Sequence, residues 1–236
     1  MIELWELGGR DDVRFSTFSW RSRMALHHKG LDFKAHPVAV SDKQAIAFSG
    51  QNKVPIIKVG DRVVCDSFEI AIFLEQEFPD RPSLFGGPHG EQLCYFFNLW
   101  TDREIVPGLV PYLMLDVLKC VEEPDQHHLR SQIEGIFKRS LEDLYGERDR
   151  ALQQLGRKLA PVRKTLARSP FLGGARPAYA DYVLFGTLQW ARVVSEIPVL
   201  ASDDPLFGWF LRLLDLYDGA GRAEAARAER KLEAAQ

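Results

Sequence analysis

A proline one residue into a β-rich run, within a hairpin that leads straight into a helix, constrains this chain more than any other feature. Residues 54–59 (Val54, Pro55, Ile56, Ile57, Lys58, Val59) and 62–65 (Arg62, Val63, Val64, Cys65) read as short strands. Gly60-Asp61 between them is a two-residue turn signal, so the pair is an antiparallel hairpin. Pro55 has no N–H to give a ladder and belongs at an edge or in a special turn, for which a cis peptide bond is the usual reason. Asp66 then opens a helix. Its carboxylate can cap the first-turn amides, Glu69 three residues on completes a capping-box pattern, and Ile70, Phe73 and Leu74 supply an inward face.

Such a hairpin leaves the amide and carbonyl of Val54 unpaired and outward, where an extended peptide can add to them as a strand adds to a sheet edge. The start of the helix at Asp66-Ser67 offers free amides and a positive dipole end to a carboxylate, while the Asp66 side chain can receive an ammonium. A peptide whose head group carries both an α-amine and an α-carboxylate satisfies all three features, and glutathione is such a peptide. Lys53, Val54, Pro55, Asp66 and Ser67 are therefore candidate glutathione-binding residues.

The chain has 236 residues, enough for one large or two small domains with a substantial core. A net charge of −3, with basic residues scattered among acidic ones, argues against nucleic acid or an anionic membrane as partner. No apolar run is long enough to span a bilayer, and Met1 leads directly into the strand-like Ile2 to Leu7 without a signal-peptide pattern, which predicts a cytoplasmic protein. Cys65, Cys94 and Cys120 lack metal or dithiol spacing and read as reduced and inert. The pairs His27-His28 and His127-His128 have no partner four residues on and read as solvated helix surface, so no metal is expected.

The first eighty residues alternate: a strand at 2–7, a helix from about 17 to 29, a strand near 33–38, an irregular segment to Asn52, the hairpin, and a helix ending at Phe78. That order fits a mixed four-stranded sheet with helices packed on it. The thioredoxin-like fold is the compact domain of this size with a proline at the start of its third strand. Pro79, Pro82, Gly86, Gly87, Pro88 and Gly90 form the clearest break in composition. The expected organisation is a thioredoxin-like domain over 1–80, a linker over 81–90 and an all-helical domain over 91–236. Within the last, Leu93, Phe96, Phe97 and Trp100 predict one helix, which Pro107 and Pro111 interrupt or kink. Apolar residues from Leu129 to Leu144 predict a second and those from Leu152 to Leu166 a third. Residues 179–195 read as a buried helix, 205–217 as another, and the Ala-rich tail from Gly219 as loosely held.

Ahead of the first helix lies Ser16-Thr17-Phe18-Ser19-Trp20. In a thioredoxin-like domain, redox enzymes carry a C-x-x-C pair here, and serines at the same spacing exclude dithiol chemistry. A hydroxyl at a helix N-terminus can instead donate to a thiolate. Lowering a thiol pKa by two units takes roughly 2.7 kcal/mol. A hydrogen bond to a charged group supplies about 1.5–3 kcal/mol and the helix terminus about 0.3–1 kcal/mol. Ser16 alone is sufficient, with Thr17 and Ser19 as alternatives.

With these residues in place, nearly the whole chain resembles a cytosolic glutathione transferase. The segment from Ser16 to Leu26 is similar to the first helix of zeta-like, serine-type members, and residues 171–182 to the motif that opens the family's core C-terminal helix. Ala178 stands there in place of the usual Ser or Thr cap, leaving Asp181 to hold the helix start with less help, at about 1 kcal/mol. Trp20-Arg21, Arg23, Ala25-Leu26 and Lys29-Gly30, together with residues 49–55, Cys65-Asp66-Ser67 and residues 179–192, resemble more narrowly the bacterial lignin β-etherases and a related fungal class. That likeness implies activation of glutathione by Ser16 and a homodimer. It departs at Phe18, where the fungal motif has asparagine, and at Thr17, where it often has proline.

The function implied is attack of the glutathione thiolate on a small aromatic or otherwise hydrophobic electrophile, in the narrower likeness a β-aryl ether. The substrate would sit among Phe18, Trp20, Trp100, Tyr112 and Met114. The alternatives are a non-catalytic binding or interaction protein that keeps the fold, and redox chemistry through Cys65.

Overall fold

The computed structural model describes residues 1–227 and 229. Strand β1 (Ile2–Leu7) lies at the centre of a four-stranded sheet, where it pairs in parallel with β2 (Phe33–Val38) and antiparallel with β3 (Ile56–Val59). Strand β4 (Arg62–Cys65) closes the hairpin with β3, giving the order β2-β1-β3-β4 of a thioredoxin-like sheet. The helices α1 (Thr17–His28) and α2 (Ser67–Glu77) belong to this half, where Leu4, Met24, Leu26, Ile57, Ile70 and Leu74 are fully buried. The Val54-Pro55 peptide bond is cis, and β3 starts after it at Ile56 rather than at Val54. Residues 44–49 form a 3₁₀ segment within the stretch expected to be irregular.

The second half is helical. Helix α3 (Pro88–Trp100) begins inside the stretch read as linker, because proline at the first helical position loses no intrahelical bond. It runs on through five π-helical residues, Thr101–Ile105, into α4 (Val106–Lys119). The interruption expected at Pro107 takes the form of this π-helical segment. Pro107 lacks the N–H that would bond back four residues, and the wider π turn, in which the Val106 amide donates to the Thr101 carbonyl, absorbs that gap. Pro111 lies inside α4.

The two long helices expected next are each split. Lys138 takes a left-handed conformation (φ 55°) and Ser140 caps a new start, separating α5 (Glu123–Phe137) from α6 (Leu141–Gly146). Pro161 in the first turn of α8 (Ala160–Leu166) divides it from α7 (Arg148–Lys158). Helix α9 (Tyr179–Val194) is buried on nearly every side, and α10 (Pro205–Gly219) packs beside it. Asp181 holds the α9 start fully. Its carboxylate accepts from the amides of Leu172 (2.7 Å), Gly173 (2.9 Å) and Ala178 (3.0 Å) and from the indole of Trp209 (2.8 Å), so the missing cap at Ala178 is compensated. The end of the tail, residues 228 and 230–236, lies outside the described residues.

Candidate functional site

In the sheet register Trp5 faces Ile56 and Ile56 faces Cys65. Val54-Pro55 just before β3, Asp66-Ser67 just after β4, and the loop that follows Leu7 therefore leave the sheet at the same end of its strands. The topology thus gathers at one end the three segments that the sequence singles out.

Two of them present backbone groups. Among the described residues the amide and carbonyl of Val54 have no backbone partner. Asp66 adopts φ 73° and ψ 137°, a strained conformation for a residue with a Cβ. Its Oδ1 accepts from the amides of Phe68 (2.7 Å) and Glu69 (3.3 Å), leaving the Ser67 amide as the free donor of the first turn. Of the expected capping box only the Asp66 half forms. The Tyr179 hydroxyl donates to the Ser67 carbonyl (2.7 Å), tying the start of α2 to the start of α9. Burial pushes that phenol's pKa up, so it stays a donor. Lys53 is exposed beside them.

The third segment carries the hydroxyls. Ser16 caps α1, its Oγ accepting from the Ser19 amide at 3.1 Å. The oxygen is thus fixed while its O–H proton has no acceptor among the described residues, on a residue only 6% exposed. Thr17 and Ser19 are also buried, and among the described residues the Ser19 Oγ has no partner. Thr17 abuts α9 so closely that a Cβ at Gly186 would lie 2.4 Å from the Thr17 carbonyl oxygen, and only glycine permits that approach.

The five aromatic and apolar wall candidates divide. Phe18 is 37% exposed and Trp100 is partly exposed. Trp20, Tyr112 and Met114 belong to the core instead. The Trp20 indole donates to the Arg14 carbonyl (2.9 Å) and the Tyr112 hydroxyl to the Ile197 carbonyl (2.7 Å), which satisfies their polar ends away from solvent.

Sequence reasoning overlooked Arg21. Its fully buried guanidinium donates to Asn98 Oδ1 (2.9 Å) and Asp102 Oδ1 (2.6 Å) and lies 4.8 Å from the Phe18 ring centroid, joining α1 to the π-helical turn. A charge between Trp20 and Met24 in an otherwise buried helix was the signal for it. His27 and His28 are likewise not solvated surface. His27 stacks on Tyr217, and His28 contacts the Tyr182 hydroxyl (2.6 Å) and the Ser83 carbonyl (3.0 Å).

Among the described residues the cysteines form no disulfide. Burial pushes the Cys94 thiol up to about 11 and raises Cys65 as well, although a hydrogen bond from Ser49 opposes the latter. A thiol less ionised than a free one is a poor redox nucleophile. Among the described residues no group of three or more His, Cys, Asp or Glu side chains could hold a metal ion, and no helix is long and apolar enough to cross a membrane.

The sheet order, the cis-proline loop and the helical half together define a thioredoxin-like domain followed by an all-helical one. Two family models match in that same order: the N-terminal domain of glutathione S-transferases over residues 15–77 and their C-terminal domain over 93–198. Between them they cover most of the chain, which belongs to the glutathione S-transferase family. Glutathione S-transferase 1 of Dianthus caryophyllus is 36% identical over 137 residues, 52% of this chain and 60% of that protein. Glutathione S-transferase Z1 of Arabidopsis thaliana is 29% identical over 113 residues, 46% and 49% of the two chains. The chain thus spans about half to three fifths of the length of these curated relatives. A glutathione S-transferase of Ceriporiopsis subvermispora, solved in complex with glutathione, superposes with a TM-score of 0.77 at 21% identity, covering 92% of this chain and 96% of that one. Glutathione transferase GSTFuA3 of Phanerochaete chrysosporium gives 0.76 at 21% identity over 100% and 97%.

Proposed function

We propose that this protein is a glutathione transferase of the serine type, in which Ser16 stabilises the glutathione thiolate for attack on a hydrophobic, aromatic electrophile. The observation that carries this reading is the Ser16 Oγ, fixed by the Ser19 amide with its proton lacking an acceptor among the described residues, in the segment that follows β1 at the end of the sheet where Val54 and Ser67 also lie. The glutathione cysteinyl backbone pairs with Val54 beside the cis Pro55. Its γ-glutamyl carboxylate takes the Ser67 amide, and its ammonium takes the outer oxygen of Asp66. Ser16 then lowers the thiol pKa by about one to two units, the worth of a hydrogen bond to a charged acceptor.

The sulfur attacks an electrophilic carbon, a C–S bond forms, and the leaving group departs with the electron pair. With a β-aryl ether beside a ketone, the narrower proposal, a phenolate leaves. Phe18 is the wall candidate with surface to offer. The protein works in the cytosol, in keeping with cysteines that form no disulfide among the described residues, and as a homodimer, for which an exposed apolar stripe on α3 is the support.

Retention on immobilised glutathione and ultraviolet titration of the bound thiol test the reading. Binding with a thiol pKa below that of free glutathione is the expected result. Binding with an unshifted pKa would instead mark a non-catalytic binding module. A product screen by mass against β-aryl ethers, aryl halides and small α-keto electrophiles identifies the second substrate.

A further inference from the structure

The inward positions of β1 are Ile2, Leu4 and Glu6, so a carboxylate stands where the strand's alternation calls for an apolar residue, and it is 1% exposed. A charge there is tolerable only if it is paired. Two guanidiniums pair it. Arg14 Nε lies 3.2 Å from Oε1, Arg23 Nε donates to Oε2 at 3.2 Å, and Arg23 Nη2 closes on Oε1. Arg14 comes two residues before Ser16 and Arg23 seven after it, so a single carboxylate clamps both flanks of that serine.

Further contacts make the clamp rigid. The Arg14 carbonyl accepts from the Trp20 indole, Arg14 Nη2 donates to Asp12 Oδ2 (2.9 Å), and the Arg23 guanidinium lies 5.5 Å from the Trp20 ring centroid. The loop that this clamp closes contains Asp11 and Asp12 at φ 57° and 61°, conformations that persist only where surrounding contacts impose them.

We propose that Glu6 is a positioning residue for the reaction: through Arg14 and Arg23 it fixes the Ser16 hydroxyl at the place where the thiolate forms. This rests on the reading of Ser16 given above. Position and charge pull in opposite directions here. Removing the Glu6 charge leaves two cations near the site, which on charge alone would lower the thiol pKa, whereas a displaced Ser16 raises it.

The experiment is a cycle of wild type, Glu6→Gln, Ser16→Ala and the double variant, reading the ultraviolet pKa of bound glutathione and the KM for glutathione. Glu6→Gln is expected to raise the thiol pKa by about half or more of the Ser16→Ala rise, with KM within about twofold and no further rise in the double variant. An unchanged or lowered pKa in folded Glu6→Gln, or additive effects, overturns the positioning role while leaving Ser16 in place. No rise in Ser16→Ala overturns both. Should Glu6→Gln fail to fold, Arg14→Lys keeps the charge and loses the guanidinium fork. The same rise is then expected, and its absence overturns the proposal.

Discussion

Ser16 caps α1 as acceptor from the Ser19 amide, and in the proposed function the same oxygen is also a donor to the ligand thiol; a substitution can separate the two. Ser16→Ala removes both functions, at about 1 kcal/mol of stability for the lost cap, and raises the bound thiol pKa toward that of free glutathione. Ser16→Asp restores the cap, since a carboxylate favours a helix N-terminus, but supplies no proton and adds a like charge beside the thiolate. Urea denaturation should therefore show Ser16→Asp within about 0.5 kcal/mol of wild type, with the thiol pKa at least as high as in Ser16→Ala. A low thiol pKa in Ser16→Asp would move the role to Thr17 or Ser19. Asp66→Ala acts on the other half of the site. It frees the Phe68 and Glu69 amides and removes the proposed ammonium acceptor, so glutathione affinity should fall about tenfold by calorimetry, the worth of one charged hydrogen bond, while the pKa of whatever thiol binds stays low.

Between elements, one buried polar tie outside the candidate site is made by Asp125 in the first turn of α5. Its buried carboxylate accepts from the amides of Val40 (2.9 Å) and Ser41 (2.7 Å), fastening the segment after β2 to the helical half. Asp125→Ala strands the buried Val40 amide. It should cost about 2–4 kcal/mol in urea denaturation, with the thiol pKa of bound glutathione unchanged, and a loss under 1 kcal/mol would show the tie to be incidental. The sequence makes some elements plain and conceals this kind. The β3–β4 hairpin and the capped start of α2 are legible because their signals, Gly60-Asp61 and Asp66, act on adjacent residues. The splits at Lys138 and Pro161 are not, since apolar spacing runs through them almost unbroken and tertiary packing decides where each helix stops. The same limit hides Arg21 and Glu6. Their partners Asn98, Asp102, Arg14 and Arg23 come from other elements, and only the breach of local pattern, a charge at an inward position, marks them beforehand. Tyr112 and Met114 show the converse, an apolar periodicity that marks core as readily as a substrate wall.

Across the whole molecule, two features set how it responds to pH and to its own concentration. His27 and His28 sit where α1, the segment before α3, α9 and α10 meet, with Tyr182, Tyr217, Arg23, Lys29 and Glu75 around them. Burial lowers the pKa of both imidazoles, and the cations Arg23 and Lys29 add to this for His27 and His28 respectively, while the Ser83 carbonyl opposes it for His28. The folded state thus favours neutral rings. The unfolded chain binds more protons below about pH 6.5, so this stability is complete above that pH and is lost as pH falls toward the folded-state values. The urea midpoint should drop between pH 7.5 and 5.5, a range set by the unperturbed histidine value of about 6.5, and His28→Gln should flatten the drop. The second feature is the stripe on α3. Leu93 and Phe96, 70% and 69% exposed, project beside the partly exposed Phe97 and Trp100 over a groove of about 970 Å³. An apolar face of this extent is uncommon on a monomer and fits a second copy. Sedimentation velocity at micromolar concentration should give twice the 26.8 kDa chain mass. Phe96→Glu places a carboxylate at the centre of such an interface, where pairing would bury it without a partner, and should return the mass to that of one chain with the thermal midpoint of the fold little changed. A wild-type protein that sediments as a single chain, or a Phe96→Glu dimer, would remove this face from the assembly.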